Sequence, residues 1–109
     1  MWFLDNKKIF GLIGLAAKAR KIAFGADSVE SEIKKKKLHL IIIAHDASNR
    51  TKDKFKKLSE MYEIPIIITA TIEELSKAIG KSNKAILGIE DLNLSKEIQK
   101  INNGGEVIV

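Results

Sequence analysis

Residues 38–44, LHLIIIA, form an almost unbroken apolar run. Seven residues are too few for a helix of their own, and three successive isoleucines favour an extended chain. The run therefore predicts a β-strand buried on both faces. Such a strand needs cover above and below its sheet, and the flanking segments have the patterning to supply it.

Ahead of this run, Ile9, Leu12, Ile13, Ala16 and Ala17 repeat at helical spacing, predicting an amphipathic helix over residues 5–18. Gly11 and Gly14 each weaken it by about 1 kcal/mol relative to alanine, which points to close packing against a sheet. Ile22–Phe24 reads as a short strand that turns at Gly25 into a second helix, with Asp27 and Ser28 in its first turn and Ala26, Val29 and Ile33 on its inner face. After the long apolar strand, HDASNRT (45–51) is a polar joint in which Asp46 or Ser48 can cap a third helix. That helix turns Phe55, Leu58 and Tyr62 inward, while Lys52, Lys54, Lys56 and Lys57 largely face water. Pro65 opens the strand IPIIIT, a place where extended backbone before proline is allowed. Thr71 and Glu74 form a capping-box pattern before a short helix lined by Ile72, Leu75 and Ile79 and ended by Gly80. AILGI (85–89) is a fourth strand, and Leu94, Ile98 and Ile101 line a last helix closed by Asn102, Asn103, Gly104 and Gly105. A β-prone tail, Val107–Val109, follows. The order αβαβαβαβα, with no repeat or linker, predicts a single α/β domain over residues 1–109: a three-layer α/β/α sandwich around a mainly parallel or mixed sheet.

With 45% hydrophobic and 30% charged residues, the chain has the composition of a water-soluble domain able to bury a core. No apolar run approaches the ~18 residues of a membrane span. The start MWFLDNKKIF lacks the long apolar stretch and cleavage site of a signal peptide, so a cytoplasmic location is expected. The absence of cysteine removes disulfides and thiolate metal sites and fits that setting. A net charge of +5, from 19 Lys and Arg against 14 Asp and Glu, favours a polyanionic partner, because lysines placed on phosphates release condensed counterions.

Catalytic signatures are missing: there is no Walker loop, no GxGxxG, no HExxH and no GxSxG. His39 and His45 are six residues apart and cannot grip one metal as a local motif. His45, Asp46 and Ser48 have the residue types of a triad, but neighbours at a strand end diverge in direction. No enzyme activity, cofactor, metal or small-molecule substrate is expected. Attention falls instead on residues 18–37, KARKIAFGADSVESEIKKKK, which couple a basic cluster (Lys18, Arg20, Lys21), a strand, a turn and a helix start whose N–H groups and dipole suit phosphate or carbonyl acceptors. The same residues also read as an ordinary helix, with Asp27 as cap, Glu30 completing a capping box, and Lys34–Lys37 complementing the C-terminal dipole. Ligands of α/β sheets gather at strand ends. The candidate loops are therefore Gly25–Ser28 and His45–Asn49, with Lys81–Lys84 a third polar loop whose position relative to them the sequence leaves open.

Three motifs carry a family resemblance. GLIGLAAKARKIAFGADSV resembles the first segment of the ribosomal-protein superfamily that binds RNA kink-turns, in particular its bacterial YlxQ-like branch, with Lys18, Lys21 and Gly25 on the shared pattern. IIIAHDASNRTKDK resembles that branch's apolar strand followed by Asp-Ala-Ser and a basic helix start, and LSKAIGKSNKAILGI resembles its segment around Gly80 and Lys81. The resemblance implies a four-stranded mixed sheet and non-catalytic binding of structured RNA, ribosomal or regulatory, by a monomer. It implies RNA contacts from Gly25, Ala26, Asp27, Ser28, Ser48, Asn49, Lys81 and Ser82. Lys18, Arg20, Lys21, Lys34 and Lys35 suit phosphates, which position without specifying. Kink-turn binders of this type place asparagine and glutamate where Asp27 and Ser28 stand here. A carboxylate donates no hydrogen bond and serine is short, so weaker binding or a different RNA target is expected. The alternative is a protein-interaction module on an inherited RNA-binding fold, with Trp2 and Phe3 as a partner contact or as covers for the first helix.

Overall fold

The computed structural model describes residues 2–102, with side chains from Lys7 onward. The Trp2 and Phe3 side chains, the proposed closure at Asn103–Gly105 and the tail Val107–Val109 lie outside the described residues. Nine elements follow in the predicted order: α1 (Trp2–Lys18), β1 (Ile22–Phe24), α2 (Ala26–Lys34), β2 (Leu40–Ile43), α3 (Asn49–Tyr62), β3 (Ile66–Ile68), α4 (Ile72–Ala78), β4 (Ile86–Ile89) and α5 (Leu92–Asn102).

The sheet has the order β1-β4-β2-β3 and is mixed: β2 runs parallel to β3, whereas β4 runs against both β2 and β1. The two inner strands, β2 and β4, are buried at every residue, and the edge strands β1 and β3 are only partly covered. This is why LIII has no polar alternation: helices occupy both sides of it. Helices α1, α4 and α5 pack together as one layer, and α2 and α3 as the other. Each layer drives an apolar stripe into the sheet, with Ile13, Leu75 and Ile98 from the first group and Ile33 and Phe55 from the second all fully buried. Burying a side chain of this size contributes about 1.5–3 kcal/mol, so the central strands and these stripes hold the fold.

Local expectations fare unevenly. The strand predicted over 38–44 is regular only over Leu40–Ile43, although Leu38 and Ala44 stay buried. Val29 and Ile33 face inward as expected, but Ala26 is exposed, because the helix begins at Ala26 and its first turn projects past the sheet. Gly14 faces another helix, not the sheet, and without crowding: a β-carbon there would meet the Ala78 carbonyl of α4 at an ordinary contact distance of 3.5 Å. Gly11 has open space around it and no packing reason. Gly88, in β4, has a strong one. A β-carbon there would overlap the side chain of Leu38, which is itself buried.

Gly88 and Gly11 differ in sign. Gly88→Ala is expected to cost about 1–3 kcal/mol by overpacking, whereas Gly11→Ala should add about 0.5–1 kcal/mol by removing backbone entropy from an exposed helix position. Chemical denaturation of the two variants checks both. Equal midpoints would show that the Leu38 contact does not constrain β4.

Candidate nucleic-acid interface

Because β4 is antiparallel to its neighbours, the loop before it lands at the ends where β1, β2 and β3 finish. The register places Ile86 opposite Ile43, and Leu87 opposite Phe24. Backbone hydrogen bonds stitch the loops together: Gly25 N donates to Ile86 O (2.9 Å), Ala44 N to Ala85 O (2.9 Å), and His45 N to Ala70 O (2.9 Å). One end of the molecule therefore gathers Gly25–Ser28, His45–Asn49, Ala70–Thr71 and Lys81–Lys84. Gly25, Ala26, Asp27, Ser28, Ser48, Asn49, Lys81 and Ser82 are brought together there.

The centre of this end is the start of α2. Gly25 occupies its N-cap position with φ 89° and ψ 153°, a conformation essentially reserved for glycine. No side chain caps the helix. The expected Asp27 cap is thus corrected: Asp27 sits in the first turn, exposed, two residues past the N-cap position that Gly25 holds. Glu30 completes no capping box either. It pairs with Lys54 of α3 at 2.7 Å and with Lys34 at 3.2 Å, and these two ammoniums, Lys54 foremost, hold its carboxyl below the usual range. The first turn consequently presents the N–H groups of Ala26, Asp27 and Ser28, which have no intrahelical acceptors, together with the positive end of the helix dipole.

Other helix starts at this end are closed. Ser48 Oγ accepts from Thr51 N (3.1 Å) and donates to Thr51 Oγ1 (2.9 Å), capping α3. Asp46, the other proposed cap for α3, instead accepts from Ile72 N of α4 at 2.8 Å. Thr71 and Glu74 form the expected capping box on α4. With Asp46 and Ser48 engaged as caps, no relay with His45 forms. His39 and His45 flank opposite ends of β2, and among the described residues no cluster of three His, Cys, Asp or Glu could hold a metal.

The sequence gives no sign of the role of Ser76. Ser76, on α4, is buried, and its Oγ accepts from Lys84 N at 2.7 Å while its carbonyl accepts from Lys81 N at 2.9 Å. One residue thus ties down both ends of the Lys81–Lys84 loop. Nothing in the sequence separates this serine from those on the polar faces of other helices. Lys84 is visible in the sequence as part of the third polar loop, but only the antiparallel course of β4 brings it to α2, where its Nζ lies 3.9 Å from the point a β-carbon on Gly25 would occupy.

The remaining candidates stand at the opposite end. Lys18 closes α1, Arg20 follows it in a left-handed conformation (φ 59°), and Lys21 O accepts from Glu90 N where β1 begins. Lys34 and Lys35 end α2 and pair along the helix with Glu30 (3.2 Å) and Glu32 (3.5 Å). Burial, reinforced by the neighbouring Glu32 carboxylate, raises the Glu90 carboxyl above its ordinary value, with Lys37 and Lys21 opposing. Positive charge here is interleaved with carboxylates. At the Gly25 end, no carboxylate among the described residues lies within 4.0 Å of the Lys81 or Lys84 ammonium.

A mixed four-stranded sheet between two helical layers, with an uncapped helix start and a basic loop at one end, defines an α/β/α domain built to present backbone donors. The chain belongs to the ribosomal protein L7Ae/L30e/S12e/Gadd45 family, whose model matches residues 7–99. It is 33% identical over 100 residues to the RNA-binding protein YlxQ of Enterococcus faecium, covering 92% of this chain and 96% of that one. The RNA-binding protein YlxQ of Bacillus subtilis (strain 168) is 29% identical over 95 residues, covering 87% and 95%. Among solved structures, a protein with unknown function from Bacillus halodurans C superposes with a TM-score of 0.85 at 29% identity, over 88% of this chain and 97% of that one. The Giardia lamblia 15.5kD RNA binding protein gives 0.77 at 21% identity, over 91% and 88%, which is a likeness of fold.

Ser76→Ala leaves the Lys84 N–H without its acceptor. It is expected to lower stability by about 1–3 kcal/mol and to accelerate hydrogen exchange at the Lys84 amide. Unaltered exchange at that amide would mean that some other group holds the loop.

Proposed function

We propose that this protein is a non-catalytic RNA-binding protein, monomeric, acting on structured RNA of the ribosome or of regulatory transcripts, and that its RNA face is the Gly25 end. The observation that carries the reading is the uncapped start of α2 beside two lysines with no carboxylate within 4.0 Å among the described residues. Three aligned N–H donors, a helix dipole and the Lys81 and Lys84 ammoniums together suit a phosphate backbone, and the flanking loops frame it. Ser48 supports this face by capping α3 rather than by touching RNA, while Asn49 and Ser82 are exposed beside it. Lys34 and Lys35 belong to the far end and are left out of the contact, as are Lys18, Arg20 and Lys21.

Asp27 sets the expected target. Exposed and unpaired in the first turn of α2, its carboxylate can accept from a base amino group but cannot donate. Ser28 adds a short hydroxyl. A kink-turn with tandem sheared G·A pairs is therefore bound no more than modestly better than the same RNA with those pairs replaced by Watson–Crick pairs.

Replacing Lys81 and Lys84 together by alanine is expected to weaken binding to both RNAs. The salt dependence should flatten by up to about 0.7–0.9 log units per lost phosphate contact, whereas Lys34→Ala with Lys35→Ala leaves affinity and slope near those of the parent. Titrations at several salt concentrations decide the matter. The reverse pattern would place the RNA at the opposite end, and no binding of structured RNA at low salt would favour a protein-interaction module.

A further inference from the structure

Phe24 is the last residue of β1, immediately before Gly25, and its ring is only partly covered. The Lys81 ammonium lies 5.3 Å from the ring centroid and the Lys84 ammonium 5.5 Å. The ring's negative faces attract both ammoniums and give the flexible side chains a fixed place to rest. Their backbones are already anchored at Ser76, and Asn83 between them is held left-handed at φ 56°. What the backbone leaves undetermined is the long lysine stems, and Phe24 determines them.

An exposed aromatic beside an RNA face would ordinarily be read as a platform for stacking a base. Here the ring is already engaged by two ammoniums. We propose that Phe24 is a positioning residue: its ring gathers the Lys81 and Lys84 ammoniums beside the start of α2, forming with the N–H groups of Ala26, Asp27 and Ser28 a single cradle for a backbone phosphate of the bound RNA. The inference rests on the RNA face proposed above and adds to it the means by which two mobile charges become one ordered site. Pre-arranged lysines lose less side-chain freedom on binding, so the gain appears as affinity without any contact between Phe24 and RNA.

A double-mutant cycle tests this. Affinity for a structured RNA is measured for the parent, Phe24→Leu, Phe24→Tyr, the Lys81→Ala/Lys84→Ala pair, and Phe24→Leu combined with that pair, with thermal unfolding recorded for each. Phe24→Leu keeps apolar bulk but no quadrupole. It is expected to weaken binding by about fivefold to thirtyfold in the parent, the scale of two exposed cation–π contacts, and less than twofold once the lysines are gone. Phe24→Tyr should retain the parent affinity. Should the leucine variant unfold, Phe24→Met serves in the same cycle. An equal loss in both backgrounds would overturn the proposal in favour of direct base stacking, and no loss in the parent would overturn it outright while leaving the RNA face standing. If the lysine pair itself has no effect on binding, the face and the inference fall together.

Discussion

The antiparallel pairing of β4 with β1 and β2 is the constraint on which the rest of the molecule depends. Were β4 parallel, the loop before it would emerge at the opposite end of the sheet, and Lys81–Lys84 would sit among Lys18, Lys21 and Lys35. Running against its neighbours, β4 instead delivers that loop to the point where β1 turns into α2. The pairing is secured by burial: β2 and β4 are covered at every position, and Leu38 fills the space that Gly88 leaves open beside it. A packing decision in the core thus fixes which charges meet at the surface.

The two ends of the molecule show why net charge is a poor guide to a binding face. The lysine run at Lys34–Lys37 is the densest basic feature of the sequence, yet two of its members pair with glutamates along their own helix, and Glu90 lies nearby. Exposed pairs of this kind contribute little to stability, but they do cancel the local field. At the Gly25 end, Lys81 and Lys84 have no carboxylate within 4.0 Å among the described residues, and they stand next to backbone donors that no side chain caps. The uncapped helix start beside those two lysines, rather than the abundance of charge, distinguishes that end.

Much of the architecture was legible in the sequence because burial there follows simple periodicities. The isoleucine run of β2, the i, i+3, i+4 stripes of α1 and α3, and the Thr71–Glu74 box each have one physical reading. The site was legible only in pieces. Gly25, Ser48 and Lys81 were found by motif and resemblance, but their meeting depends on strand direction, which local sequence does not encode. Asp27 misled for a related reason: an Asp-Ser pair at a helix start looks like a cap, whereas the glycine-only backbone of Gly25 moves the first residue of α2 back to Ala26. Ser76 and Phe24 had no signal at all, since their roles arise from partners eight and about sixty residues distant.

If RNA meets the protein at the Gly25 end, backbone amide NMR will show it. On titration with a structured RNA, the amides of Ala26, Asp27 and Ser28 and those of the Lys81–Lys84 loop should shift most, while Lys34–Lys37 and Lys18–Lys21 stay near their free positions. Dominant shifts at Lys34–Lys37 with a silent start of α2 would contradict the account.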